Sequence, residues 1–324
     1  MPLIDEPLYT LEIPTHEFTV PVGSSFLYSH QADEDRATPS PNWFTSIDPD
    51  EIDTRTVEVD EDENLIVHPP NGIPTVISLY DAPRLAEFIE SLPQPVYLDI
   101  TGLSHRTWAP LVRATAQAVA DVRVIYLEPA EYLRRTFVDA QRIYDLSEKF
   151  DGLRPLPGFT VIEPEADSGR EHYFVPMVGF EGSRLEYVLS QSEADLTRTY
   201  PVIGVPGFRP DYAFYAYQGN RRSFEREFLH RRVQAAKANC PFEAFYLLRE
   251  IQSWSQDPYM RVAPIGTKPH ALGAVLFALA NPHQVELVYD NPVRARDRTE
   301  GQARVLVYAL SAFIAGTQFR SAAA

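Results

Sequence analysis

The sequence predicts an α/β protein of two Rossmann-like βα lobes, or one long mostly parallel sheet, behind an irregular acidic N-terminal region. Three observations predict it. From residue 75 onward, short apolar runs rich in β-branched residues alternate with segments of helical periodicity. The connections between them are short, as in parallel βαβ units with right-handed crossovers. Hydrophobic residues make up 44% of the 324, enough for a packed core.

Residues 1–74 read as the irregular region. The stretches 30–43 and 46–65 are acidic and punctuated by prolines, with short strands expected at Thr56–Val59 and Leu65–Val67. The first lobe is expected over 75–150. Thr75–Tyr80 is a strand, and Ala82–Leu92 a helix with Leu85, Phe88, Ile89 and Leu92 on one face. Val96–Ile100 is a strand, His105–Ala120 a helix carrying Trp108, Leu111, Val112, Ala116 and Val119, and Val122–Leu127 a third strand. Glu131–Phe150 reads as a polar helix, and the prolines at 155, 157 and 164 mark a crossover.

The second lobe is expected over 151–324. Its strands are His172–Phe180, Tyr200–Val205, Met260–Ile265 and Val285–Asp290. Its helices are Gly182–Gln191, Phe224–Trp254 with a break near Pro241, and His270–Ala280. Arg304–Ile314 fits either a strand or a helix.

Charge and composition exclude several classes. The net charge is −16, from 45 acidic and 29 basic residues, which argues against sequence-independent nucleic-acid binding while leaving room for a local basic pocket. One cysteine, Cys240, leaves no intrachain disulfide framework and no multi-cysteine metal site. There is no run of about 18 apolar residues, so no membrane span is expected. The start, MPLIDEPLYTLEIP, lacks the pattern of a secretory leader, and a soluble cytoplasmic protein is the expectation. Neither a G-x-S-x-G elbow nor an H-E-x-x-H helix occurs, and the eight histidines show no metal-ligand spacing. No pattern names a cofactor.

Ligands of parallel sheets bind where strand ends lead into helix N-termini. Four such loops carry the candidate residues. In Leu98–Arg106, Ser104 caps a helix, Thr101 and Gly102 allow close backbone approach, and His105 and Arg106 add donors. In Arg261–Gly273, Gly266 and Thr267 lead into a helix with Pro269 in its first turn, and Lys268 and His270 project near an anion-binding helix end. In Val178–Arg184, Gly179 permits a tight turn, Glu181 suits a ribose hydroxyl, and Arg184 follows one turn into the helix. In Ile203–Tyr212, Arg209 offers a bidentate phosphate partner beside Phe208 and Tyr212, which suit base stacking. The plainer reading of each loop is an ordinary capped turn. Lys268 stands out because the chain has only three lysines, the others being Lys149 and Lys237, against 26 arginines.

Two of these loops carry a resemblance. Asp99-Ile-Thr-Gly with the following Ser-His-Arg, and Ile265-Gly-Thr-Lys-Pro-His-Ala-Leu-Gly-Ala, resemble the loop motifs of CRISPR-associated Rossmann-like (CARF and SAVED) nucleotide-sensor domains of bacterial phage-defence systems. The resemblance implies recognition of a cyclic oligonucleotide or related nucleotide, with Thr101, Gly102, Gly266, Thr267 and Lys268 in contact with it.

Three functions remain in competition. The first is a nucleotide-binding or nucleotide-sensing component of a defence or signalling system, acting with a protein partner or as a homo-oligomer. The second is an enzyme acting on a nucleotide or phosphorylated small molecule, with Asp99, Glu181, Lys268 or His270 as acid–base groups. The third is an acidic interaction subunit of a multiprotein complex.

Overall fold

A computed structural model describes residues 9–29, 34–44, 51–134, 144–161, 170–296 and 298–322. In chain order the first strands are β1 (Thr10–Pro14), β2 (Ser25–Tyr28), β3 (Asp53–Val59), β4 (Asn64–His68), β5 (Thr75–Ser78), β6 (Val96–Asp99) and β7 (Val122–Tyr132). Helices α1 (Ala82–Ser91) and α2 (His105–Thr115) connect the later ones. Then come β8 (Ser147–Phe150), β9 (His172–Met177), α3 (Gly182–Gln191), β10 (Val202–Gly204), α4 (Tyr212–Gly219), α5 (Arg221–Glu225) and β11 (Gln234–Ala236). The chain ends with α6 (Pro241–Gln252), β12 (Tyr259–Pro264), α7 (Lys268–Ala280), β13 (Val285–Leu287), β14 (Pro292–Arg294), β15 (Thr299–Tyr308), α8 (Leu310–Ala315) and α9 (Thr317–Ala322).

These elements form the expected α/β architecture. A mixed eight-stranded sheet runs β1-β15-β7-β6-β2-β3-β4-β5, and a five-stranded sheet runs β11-β10-β9-β12-β13. Every pairing in the second sheet is parallel. Strands β8 and β14 make a separate antiparallel pair.

Local chemistry explains the helices that matter for the site. Asp81, Ser104 and Thr267 each accept a backbone N–H three residues on, capping α1, α2 and α7. Helix α7 is apolar on all sides, and from Pro269 to Ala278 every residue is buried. It packs between α6 and α2, so Trp108, Leu111 and Val112 of α2 join Leu272, Val275 and Leu276 of α7 in one core. Gly273 makes the α6 approach possible: a Cβ there would lie 2.3 Å from the Pro241 carbonyl oxygen.

Four expectations are corrected. Residues before 75 are not irregular throughout: β3 and β4 contain the two short strands expected there, β1 and β2 also belong to the large sheet, and Phe18, Val20, Phe26 and Trp43 form a core beneath it. Their apolar runs are too short between prolines to show a period. The stretch expected as a helix over 131–150 holds the end of β7 and all of β8; residues 135–143 lie outside the described residues. Within 224–254, Gln234–Ala236 is a strand, because β10 offers it a parallel edge. The ambiguous run at 304–314 is both, strand to Tyr308 and helix from Leu310. Strand β15 pairs antiparallel with β7, so after the five-stranded sheet the chain returns to the large one at Thr299.

Candidate anion-binding cleft

The carboxyl ends of three parallel strands meet at one point. Strand β9 leads through Gly179-Phe180-Glu181 into α3, β10 through Gly207 and Phe208 toward α4, and β12 through Ile265-Gly266-Thr267 into α7. Gly179 and Gly266 lie against each other. A Cβ on Gly179 would sit 3.4 Å from the Gly266 Cα, and one on Gly266 would sit 2.9 Å from the Met177 and Val178 carbonyl oxygens. Gly266 is what lets the turn after β12 pass this close to the end of β9.

The other wall comes from Tyr126 and Tyr132 of β7 and Arg36 of the turn at Asp35–Ala37, with Arg294 of β14 and Arg298, just before β15, beside them. The recess holds about 780 Å³ of empty space, part of it open to solvent, within the size range of small-molecule sites.

The cleft is positive in a negative protein. Five cations line it: Arg36, Arg184, Lys268, Arg294 and Arg298. Arg184 is buried and doubly bonded to Asp290 at 2.7 and 2.6 Å, with a third bond to the Ile265 carbonyl. Arg36 and Arg298 share Glu34. Lys268 donates to the carbonyls of Ile100 (2.8 Å), Thr101 and Leu103 (2.9 Å). Arg294 neighbours the Tyr289 hydroxyl and, among the described residues, has no carboxylate partner. Glu181, the one carboxylate in the lining among the described residues, accepts from the Leu146 N–H (2.9 Å) and the Ser147 hydroxyl (3.0 Å).

Titration follows this field. Burial pushes the His105 imidazole well below its ordinary range, and the charges of Arg294, Lys268 and Arg184 push it further. His105 is therefore neutral; its Nδ1 lies 3.0 Å from the Tyr289 hydroxyl. Burial, then Arg36 and Arg294, also press the Lys268 pKa down against the pull of Asp99. Three carbonyl acceptors around one nitrogen nonetheless match the three donors of an ammonium.

Aromatic rings form the other half of the lining. Phe180 meets Tyr132 at 5.3 Å and Tyr212 at 5.1 Å, both edge to face, and Tyr144 stacks on it at 4.4 Å. The Tyr132 N–H donates to the Tyr212 hydroxyl at 3.0 Å, tying β7 to α4.

Of the sequence-derived candidates, Gly179, Glu181, Arg184, Phe208, Tyr212, Gly266, Thr267 and Lys268 line this cleft. The others lie elsewhere. Thr101 is buried behind it, its hydroxyl accepting from the Leu127 N–H at 2.9 Å. Gly102 packs on backbone, since a Cβ there would lie 2.3 Å from the Ser29 carbonyl oxygen. Arg106 pairs with Glu63 and the Pro155 carbonyl. Arg209 sits at the surface between Glu131 (3.3 Å) and Asp211 (3.5 Å). His270 is buried 3.2 Å from the Lys237 carbonyl, and desolvation lowers its pKa to about 4. Neither His105 nor His270 reaches the lining.

Sequence reasoning missed Arg36, Arg294, Arg298, Tyr126 and Tyr132. The arginines at 294, 296 and 298 do cluster in sequence, but only Arg294 lies on a strand and Arg296 is not among the lining residues.

Chemically, the cleft is equipped to hold an anion beside an aromatic surface. The Thr267 hydroxyl is committed to the Ala238 carbonyl at 2.8 Å, and no cluster of metal-ligating side chains occurs among the described residues. No helix among them is long and apolar enough to cross a membrane. Against known proteins, no family model matches the chain and no curated protein matches it in sequence.

Proposed function

We propose that the chain binds an anionic nucleotide in the cleft between its lobes, as the sensing component of a bacterial defence or signalling system that acts with a protein partner. One observation carries the reading: among the described residues, five cations and a single carboxylate line a recess at the carboxyl ends of three parallel strands, next to a cluster of aromatic rings. Charge selects phosphate, and the rings select a planar base. The resemblance of the two glycine–threonine loops to CARF and SAVED sensor domains supports the cyclic-oligonucleotide class and the defence setting. The contacts of Lys268 alter that picture in one respect. Its three donors are engaged by carbonyls of the first motif, so the lysine positions the loop and Arg294 takes the anion.

A thermal-shift screen with mononucleotides, cyclic dinucleotides, cyclic oligonucleotides and inorganic phosphate tests the proposal. A ligand present at a hundred times its Kd adds about 2.7 kcal/mol of stability, a readily seen rise in Tm. If no nucleotide of any class shifts the melting curve, the reading is wrong. A shift produced by phosphate alone, and not improved by any base, removes the nucleotide and leaves only an anion site.

A further inference from the structure

The segment Arg221–Arg232, outside the cleft, reverses the charge of the chain. It contains five arginines and two glutamates within a protein of net charge −16. Arg221 pairs with Glu225 at 2.7 Å, and Arg232 is tied to the carbonyls of Leu196 (2.7 Å) and Glu227 (3.1 Å). Arg222, Arg226 and Arg231 have no carboxylate partner among the described residues.

Between them the backbone is forced. Glu227 (φ 45°) and Phe228 (φ 54°) occupy the left-handed region in succession, which a bulky side chain rarely adopts. Leu229, fully buried in the core under α3, and the Arg232 bonds hold this turn in place. Its result is to present Phe228 to solvent, 60% exposed, with the Arg231 guanidinium 4.9 Å from the ring centroid. Strain of this kind persists where the displayed group is used.

We propose that this turn is a docking surface for single-stranded nucleic acid, with a base stacking on Phe228 and phosphates paired to Arg222, Arg226 and Arg231. The aromatic ring decides between anionic partners. An acidic peptide would use the arginines and has no need of a ring held open by a strained backbone. A strand of nucleic acid uses both, since every base has a stacking face and every link a phosphate. The overall acidity sets the character of the contact: long-range repulsion removes the sequence-independent attraction of a basic protein and leaves short-range contacts at the turn to hold the strand.

Fluorescence anisotropy of labelled oligothymidylate and oligouridylate, at about 50 mM salt, tests this. Saturable binding is expected, weakened about tenfold by Phe228→Ala and at least as strongly by the Arg222→Ala/Arg226→Ala pair. Arg294→Ala, which alters the cleft, leaves it unchanged. Phe228→Gly relieves the left-handed strain while removing the ring, so it keeps the fold and loses binding. Absence of binding by the wild type overturns the proposal. So does binding that survives Phe228→Ala, that polyglutamate displaces equally well, or that Arg294→Ala abolishes.

Discussion

The Lys268 ammonium donates to the Ile100 carbonyl at 2.8 Å across 168 residues of sequence, and so fastens the start of α7 to the end of β6. With the Thr101 and Leu103 carbonyls it completes a three-point clamp between the lobes. Hydrogen bonds to a charged group contribute about 1.5–3 kcal/mol, and carbonyls left unpaired in a buried turn add a penalty. Lys268→Ala and Lys268→Met should therefore lower stability by about 3 kcal/mol, read as a lower urea midpoint. Lys268→Arg should fail to restore it, because a planar fork cannot point at three carbonyls arranged around one nitrogen. A midpoint within error of wild type for Lys268→Met would remove the clamp from the account of the fold.

The Arg184–Asp290 pair separates stability from function. Both side chains are almost fully buried, at 2% and 0% exposure, and they meet in a bidentate geometry. Breaking the pair with Asp290→Ala strands a buried guanidinium and should destabilise by about 3–5 kcal/mol. Replacing both partners with apolar residues, Arg184→Met with Asp290→Leu, should recover most of that loss, since desolvating the pair offsets much of its attraction. The double variant should fold and still lose ligand-induced thermal stabilisation, because Arg184 is part of the cleft lining. Retained ligand response in a folded double variant would show that Arg184 serves packing alone.

The legible and illegible parts of the site divide along a physical line. The turns at Ser104 and Thr267 could be read because a capping side chain, a helix-compatible proline or apolar face, and a preceding apolar strand all fall within a short window. The cleft itself could not. Arg36, Tyr126 and Arg294 come from three distant segments, and their convergence depends on β15 returning to β7, a long-range pairing without a local period. Lys268 shows the same limit in one residue. A sequence reveals three donors near a helix start and does not reveal that three carbonyls from another lobe fill them. His270 followed the same course, its position one turn into α7 directing it into the core beneath Lys237.

Glu128 gives the protein a pH dependence of definite sign. It lies on β7 with its carboxylate 3.3 Å from the Arg304 guanidinium. Burial raises its pKa from 4.5 to about 7; Arg304 opposes this and the neighbouring Glu12 charge reinforces it. Between those two values the native state holds more protons than the unfolded state, so this group lowers stability as pH rises from 4.5 to about 7. Glu128→Gln, which carries no charge, should be more stable than wild type at pH 8 by about 2 kcal/mol after allowance for solvent screening. The advantage should vanish below pH 4.5, where the carboxyl is protonated in both states. His270 has the opposite slope over about pH 4 to 6.5, because its native form stays neutral while the unfolded imidazole takes up a proton. The difference between variant and wild-type denaturation curves, taken at each pH, cancels that contribution. A difference independent of pH would mean that Glu128 titrates alike in the folded and unfolded states.

Arg294 is the position where binding and folding part most clearly. It lines the cleft, is half-buried at the end of β14, and has no carboxylate partner among the described residues. Its charge reaches inward and contributes to holding His105 neutral. Removing an unpaired cation from beside Lys268 and Arg184 relieves repulsion, so Arg294→Gln should leave the urea midpoint unchanged or raise it by up to about 0.5 kcal/mol. The same change should cost a bound phosphate one charge-assisted pair, about 1.5–3 kcal/mol or at least tenfold in Kd. Arg294→Lys should recover part of the affinity, since it restores charge without the bidentate fork. Isothermal titration with whichever nucleotide shifts the melting curve most reads all three variants on one scale. The order expected is wild type tightest, then Arg294→Lys, then Arg294→Gln. Equal affinities across the series would place the anion elsewhere in the cleft and shift attention to Arg36 and Arg298, which share Glu34.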